Sequence, residues 1–193
     1  MRLFTGLDLE PGVAANLERL IEQLRPTARV QWSPPANLHI TTKFIGEWPD
    51  ERLAEFKTAL AGLPRRAAIP VRIHDLGFFP NPHAPRIFWC GIEAPGLAEL
   101  AAETDRATAA LGVQPETRAF SPHLTLARIK DRSSQQRTPA ARPPALQALR
   151  EAIAGLSELE FGSFVAAGFY LYQSQLRPGG SVYTKLAEFP FQS

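Results

Sequence analysis

Hydrophobic and polar positions alternate with two periods along this chain, and the two periods take turns. Period 3.6 marks four helices. Residues 11 to 25 begin at Pro11 and set Val13, Leu17, Leu20, Ile21 and Leu24 on one face. Residues 50 to 62 begin at an Asp50 cap and carry Leu53, Phe56 and Leu60. Residues 95 to 111 begin at Pro95, are rich in Ala and Leu, and stop at Gly112. Residues 144 to 155 follow a Pro pair and stop at Gly155. Between them, runs with strand character cover 2 to 8, 38 to 45, 70 to 78, 86 to 92, 123 to 129, 159 to 173 (broken near Gly168) and 181 to 188.

The order of these elements repeats. Strand, helix, strand, helix, strand fills residues 2 to 79, and the same order starts again at Arg86. His39 follows Leu3 by 36 positions, and His123 follows Arg86 by 37. The pattern predicts a degenerate internal duplication: one domain over 1–193 with two lobes, about 1–80 and 86–193, each offering its second strand to a shared cleft. Asn81-Pro82-His83-Ala84-Pro85 joins the lobes. Residues 131 to 143 form a polar connection bearing Pro and Arg after the last His-bearing strand. That composition suits a solvated linker, with a flap over a substrate as the alternative.

Composition narrows the class. With 193 residues, 45% hydrophobic and 21% charged, the chain can bury a sizeable core and is not of disordered type. A net charge of +2 permits a phosphate-bearing ligand without demanding one. The single cysteine, Cys90, excludes an internal disulfide and a thiolate zinc cluster, so a cytoplasmic protein is expected. The start, Met1-Arg2-Leu3-Phe4-Thr5-Gly6-Leu7-Asp8, turns acidic too soon for a signal peptide, and no apolar run approaches a membrane span.

The candidate chemistry lies on two strands. In Asn37-Leu38-His39-Ile40-Thr41-Thr42-Lys43-Phe44, simple alternation puts Leu38, Ile40 and Phe44 on the inner face and His39, Thr41 and Lys43 on the other. In Pro122-His123-Leu124-Thr125-Leu126-Ala127-Arg128, Leu124 and Leu126 face inward while His123 and Thr125 face out. Each His-x-Thr triplet aims an imidazole and a hydroxyl at one point. An imidazole can take or give a proton near neutrality, and a hydroxyl can donate to a phosphate oxygen. Two triplets face to face would set an acid and a base on opposite sides of a phosphorus. His74 reads as an ordinary strand position and His83 as a loop residue. A metal site is the rival reading, but no His-Glu-x-x-His or Asp-rich cluster accompanies the histidines. There is no Gly-x-Ser-x-Gly elbow, P-loop or dinucleotide fingerprint.

These residues resemble the 2H phosphoesterases, and within them the RNA 2′,3′-cyclic phosphodiesterases related to 2′-5′ RNA ligase. The likeness runs from Arg2-Leu3-Phe4 and the two triplets through Gly77-Phe78-Phe79-Pro80 and Arg86-Ile87-Phe88-Trp89 to Leu171-Tyr172-Gln173-Ser174, Pro178-Gly179-Gly180 and Tyr183. It implies a bilobal α+β fold with two antiparallel sheets around a cleft, helices outside, and no metal or other cofactor. It implies a monomer acting on RNA ends or short oligonucleotides that bear a 2′,3′-cyclic phosphate, and giving a 2′-phosphate. Weak 2′-5′ joining is the implied side activity. His39 is then the proton donor and His123 the acceptor, with Thr41 and Thr125 beside them. Arg128, Lys43 and Phe44 are expected to touch substrate, although parity puts Arg128 opposite His123. Thr42 stands where the family usually has Leu, on the inner face. A sibling activity on a small cyclic nucleotide or oligonucleotide end, and a nucleotide-binding module without turnover, are the alternatives.

Overall fold

A computed structural model of the chain describes residues 1–129, 146–178 and 180–192. The elements run β1 (Arg2–Leu7), α1 (Pro11–Leu24), β2 (Gln31–Trp32), β3 (Ile40–Glu47), α2 (Leu53–Ala61), β4 (Ile69–Phe79) and β5 (Ile87–Glu93), then α3 (Leu97–Ala109), β6 (His123–Arg128), α4 (Gln147–Ala154), β7 (Glu160–Ala166), β8 (Gly168–Arg177) and β9 (Gly180–Pro190). All four expected helices form. The expected stripe on α1 is its buried face: Val13, Leu17, Leu20, Ile21 and Leu24. Burial of each such side chain contributes about 1.5–3 kcal/mol before entropy is counted. The connection at 131–143 lies outside the described residues. So does the beginning of the fourth expected helix, at 144.

The strands form two antiparallel sheets, ordered β3-β1-β8-β9 and β2-β6-β5-β4-β7. The fold is α+β, and β3 of the first sheet lies against β6 of the second. The short strand β2, two residues flanked by a Pro pair, has too little pattern to be read from sequence.

The expected lobe boundary needs correction. Strand β4 comes from the first half of the chain, yet it pairs with β5 in the second sheet. Strand β8 comes from the second half, yet it pairs with β1 in the first. The first half therefore gives β2 and β4 to the second sheet and the second half gives β8 and β9 to the first, so cutting near residue 80 would sever both sheets. The helices follow the same rule. α1 lies on β7 and α4, whereas α3 lies on β3 and α2. One buried cluster joins Leu3, Leu7 and Leu171 of the first sheet to Ile73, Phe88 and Leu124 of the second.

Gly6 is required by a close approach. A Cβ there would stand 2.6 Å from the carbonyl oxygen of Ile40, the first residue of β3. Gly6→Ala should force β3 outward and cost on the order of 2 kcal/mol, as overpacking does. A fall in the urea midpoint at unchanged slope would check it; an unaltered midpoint would show that β3 yields freely.

Candidate active site

His39 immediately precedes the β3 ladder, and His123 opens β6. The His39 Nδ1 lies 2.7 Å from the Asn37 carbonyl oxygen, and the His123 Nδ1 lies 2.8 Å from that of Ser121. A carbonyl can only accept, so in both rings Nδ1 carries the hydrogen. In the neutral ring Nε2 is left as the lone-pair nitrogen. At His39 that nitrogen receives the Thr41 hydroxyl at 2.9 Å. The same device, a carbonyl two residues upstream, thus fixes the tautomer of both imidazoles.

Aromatic rings hold the two imidazoles in place. His39 sits 4.7 Å from the Phe4 ring and edge-on to Tyr183 at 5.1 Å. His123 is edge-on to Phe79 at 5.1 Å, and Phe79 stacks on Trp89 at 5.0 Å. Gly77 leaves the room for Trp89, since a Cβ there would fall 2.2 Å from the indole. Sequence reasoning misses these aromatic supports. The Gly77-Phe78-Phe79-Pro80 run and Tyr183 are visible only as matched residues, with no sign of which ring they meet.

Beyond each triplet the strand departs from simple alternation. Thr5 pairs with Lys43 while Gly6 pairs with Thr41, so Thr42 is an extra residue in β3. Phe88 pairs with Ala127 while Trp89 pairs with Thr125, so Leu126 is an extra residue in β6. Thr42 and Lys43 are both buried, as are Leu126 and Ala127, and the fifth residue after each histidine is exposed. Those fifth residues are Phe44 and Arg128. Phe44, expected on the inner face, is 60% exposed and lies 6.2 Å from the Phe4 ring. Arg128, expected opposite His123, is close enough to act on His39: its charge is among the causes that lower the His39 pKa.

Lys43 is the site residue that the structure overturns. The same bulge buries it, 7% exposed, with Nζ 2.5 Å from Asp105 Oδ1 of α3 and donating to the Gln114 carbonyl oxygen at 2.8 Å. It ties β3 to α3 and does not face the cleft. Thr42, expected inward, is buried as its parity required, and its hydroxyl shares a 2.8 Å hydrogen bond with Thr5. His74 pairs with Asp75 at 2.8 Å on β4, and His83 is exposed between β4 and β5.

The electrostatics of the two imidazoles differ. Burial, chiefly, holds the His39 pKa below its ordinary value of 6.5. The Arg128 guanidinium and His123 push the same way, while the Asn37 carbonyl and Asp8 oppose them. A pocket of about 360 Å³ borders His39 and is also lined by Asp8, Asn37, Tyr172, Tyr183 and Lys185. No group of three or more His, Cys, Asp or Glu side chains converges among the described residues. No helix among them is long and apolar enough to cross a membrane.

Comparison with known proteins then decides the family. The family described as LigT like phosphoesterase matches residues 7–89 and again 92–183, one match on each half. The chain belongs to the LigT-like phosphoesterases. Its relatives in that family include an RNA 2′,3′-cyclic phosphodiesterase of Thermus thermophilus, 33% identical over 98% of this chain and 89% of that protein. Another, from Methanocaldococcus jannaschii, is 29% identical over 98% of this chain and all of its own length. Among solved LigT-like structures, TT0787 of Thermus thermophilus covers 99% of this chain and 98% of its own, at 32% identity and a TM-score of 0.76. E. coli LigT complexed with 3′-AMP covers 100% of this chain and 98% of its own, at 25% identity and the same TM-score of 0.76.

If Lys43 is structural, removing its partner should damage stability and spare substrate affinity. Asp105→Ala strands a buried ammonium and should cost about 3 kcal/mol, the lower end for a broken buried pair. Denaturant unfolding reads the loss, and an unchanged KM on a cyclic phosphate substrate confirms that the pair lies outside the binding surface.

Proposed function

We propose that this chain hydrolyses RNA 2′,3′-cyclic phosphate ends to 2′-phosphomonoesters by acid/base catalysis between His39 and His123, acting as a monomer. The observation that carries the reading is the shared setting of the two imidazoles. Each has Nδ1 anchored on the carbonyl two residues upstream, which leaves Nε2 as the reactive nitrogen. The relatives named for this activity, and the LigT complex with 3′-AMP, support the substrate class.

In the proposed reaction His123 Nε2 takes a proton from water as its oxygen adds to phosphorus. The P–O3′ bond breaks on the opposite side, and His39 Nε2–H gives its proton to O3′. The 2′ ester bond is kept, so the product is a 2′-phosphate with a free 3′-hydroxyl. Thr41 and Thr125 donate to the non-bridging oxygens where charge builds up. When the His39 Nε2 is protonated it no longer accepts from Thr41, which frees that hydroxyl for the phosphate. Arg128 supplies a fixed cation, and exposed Phe44 a surface for the sugar or base. A 5′-hydroxyl replacing water would give the 2′-5′ linkage, the weak joining activity.

The balance of protons makes a sharp requirement. His39 must be charged to act as the acid, yet burial favours its neutral form in the free protein. A bound phosphate brings the negative charge that reverses this. The limb of kcat/KM that reports His39 in the free enzyme should therefore lie below pH 6.5, and its counterpart in kcat should lie higher. Coincident limbs would mean that the phosphate does not tune His39. His39→Ala and His123→Ala should each nearly abolish kcat on a cyclic-phosphate oligonucleotide, the double variant adding little, because the pair acts as a unit. Thr41→Ala or Thr125→Ala should cost about 10²–10³ in rate. Near-normal turnover by either histidine variant would end the two-histidine reading.

A second experiment bears on the metal alternative. Turnover should persist after exhaustive treatment with a strong chelator. Activity lost in chelator and restored by a divalent ion would assign the histidines to a metal instead.

A further inference from the structure

The pocket beside His39 has a built interior. Its lining includes the Tyr172 side chain, only 5% exposed, whose hydroxyl is buried and has no hydrogen-bond partner. That hydroxyl has essentially no accessible surface, so Tyr172 offers the pocket the side of its ring and not its oxygen. Burial pushes that phenol well above its usual pKa, so it stays protonated and adds no charge to the pocket. On the rim, Lys185 donates to Asp8, and Tyr183 sets its ring against the edge of His39. The Asp8–Lys185 pair is formally neutral, which makes this a poor site for a second phosphate and a good one for a polar, uncharged edge.

The proposed reaction says which part of the substrate lies here, and the inference rests on that reading. The acid His39 must reach O3′, an atom of the same ribose that carries the base. The sugar and its base therefore lie on the His39 side of the phosphorus and the attacking water on the His123 side. A carboxylate accepts two parallel N–H bonds, and an ammonium beside it donates to an oxygen. Guanine alone among the four bases offers two adjacent N–H donors, N1–H and the 2-amino group, followed by a carbonyl, O6. Adenine and cytosine offer one amino group beside a ring acceptor, and uracil one N–H between two carbonyls. We propose that the pocket over Tyr172 receives the base of the terminal nucleotide, and that Asp8 and Lys185 read it in favour of guanine.

Steady-state kcat/KM for the four nucleoside 2′,3′-cyclic monophosphates tests this on the full chain. Guanosine should lead by on the order of tenfold, the lower range for a bidentate base contact. Asp8→Asn should collapse the guanosine-to-adenosine ratio, because an amide replaces one acceptor by a donor; the ratio is the readout, since Asp8 also acts on His39 by its charge. Equal kcat/KM on all four bases, another base preferred, or a ratio that survives Asp8→Asn overturns the proposal. If no cyclic phosphate is turned over, the phosphodiesterase reading fails. A calorimetric comparison of guanosine and adenosine 2′-monophosphates then still decides whether the pocket reads the base.

Discussion

The exchange of strands between the two halves is the constraint on which the site depends. Because β4 pairs with β5 and β8 with β1, neither sheet can form from one half alone. Each exchanged strand also leaves its host sheet with a buried middle strand, β1 or β5, flanked on its other side by the histidine-bearing strand. The two imidazoles are thereby fixed to one continuous core and not to two bodies free to move apart. In-line displacement at phosphorus needs an acid and a base held at a set separation, and rigidity of this kind favours it.

Within that frame a second device acts locally. Strand alternation alone brings His39 and Thr41, or His123 and Thr125, to one face, but it would then hide the residue five places on. One extra residue in each strand, Thr42 or Leu126, resets the parity. Phe44 and Arg128 return to the exposed side as a result. The bulges also explain why two consecutive residues are buried after each triplet, and why Lys43 carries its charge inward to Asp105. A lysine there is tolerated because its ammonium meets a carboxylate and a carbonyl at once.

Much of this is legible in the chain. The helical stripes, the long strands and the repeat of element order depend on local periodicity, which the letters record directly. The two His-x-Thr triplets stand out because parity holds across two residues. Parity over five residues does not hold, because a bulge depends on the partner strand and leaves no mark of its own here. That is why simple alternation puts Lys43, Phe44 and Arg128 on the wrong faces. The strand exchange is equally hidden: a repeat in sequence gives the elements of each half but not which half's sheet a strand will join. The anchoring of each Nδ1 on the carbonyl two residues back is in principle predictable, since both histidines follow a break in extended structure.

The near-symmetry of the halves makes their differences the informative part. His39 is wrapped by Phe4, Tyr172 and Tyr183, whereas among the described residues His123 has the single aromatic neighbour Phe79. The more enclosed ring is the one bordered by the pocket, and the one whose charge the protein disfavours until an anion arrives. A group that gains its proton only when phosphate is bound carries it where O3′ needs it and not in the empty site. At the fifth position the halves differ again, an aromatic surface in one and a guanidinium in the other. The two strands thus differ in what they expose beyond the histidine, while the Nδ1 anchoring of the two imidazoles is the same.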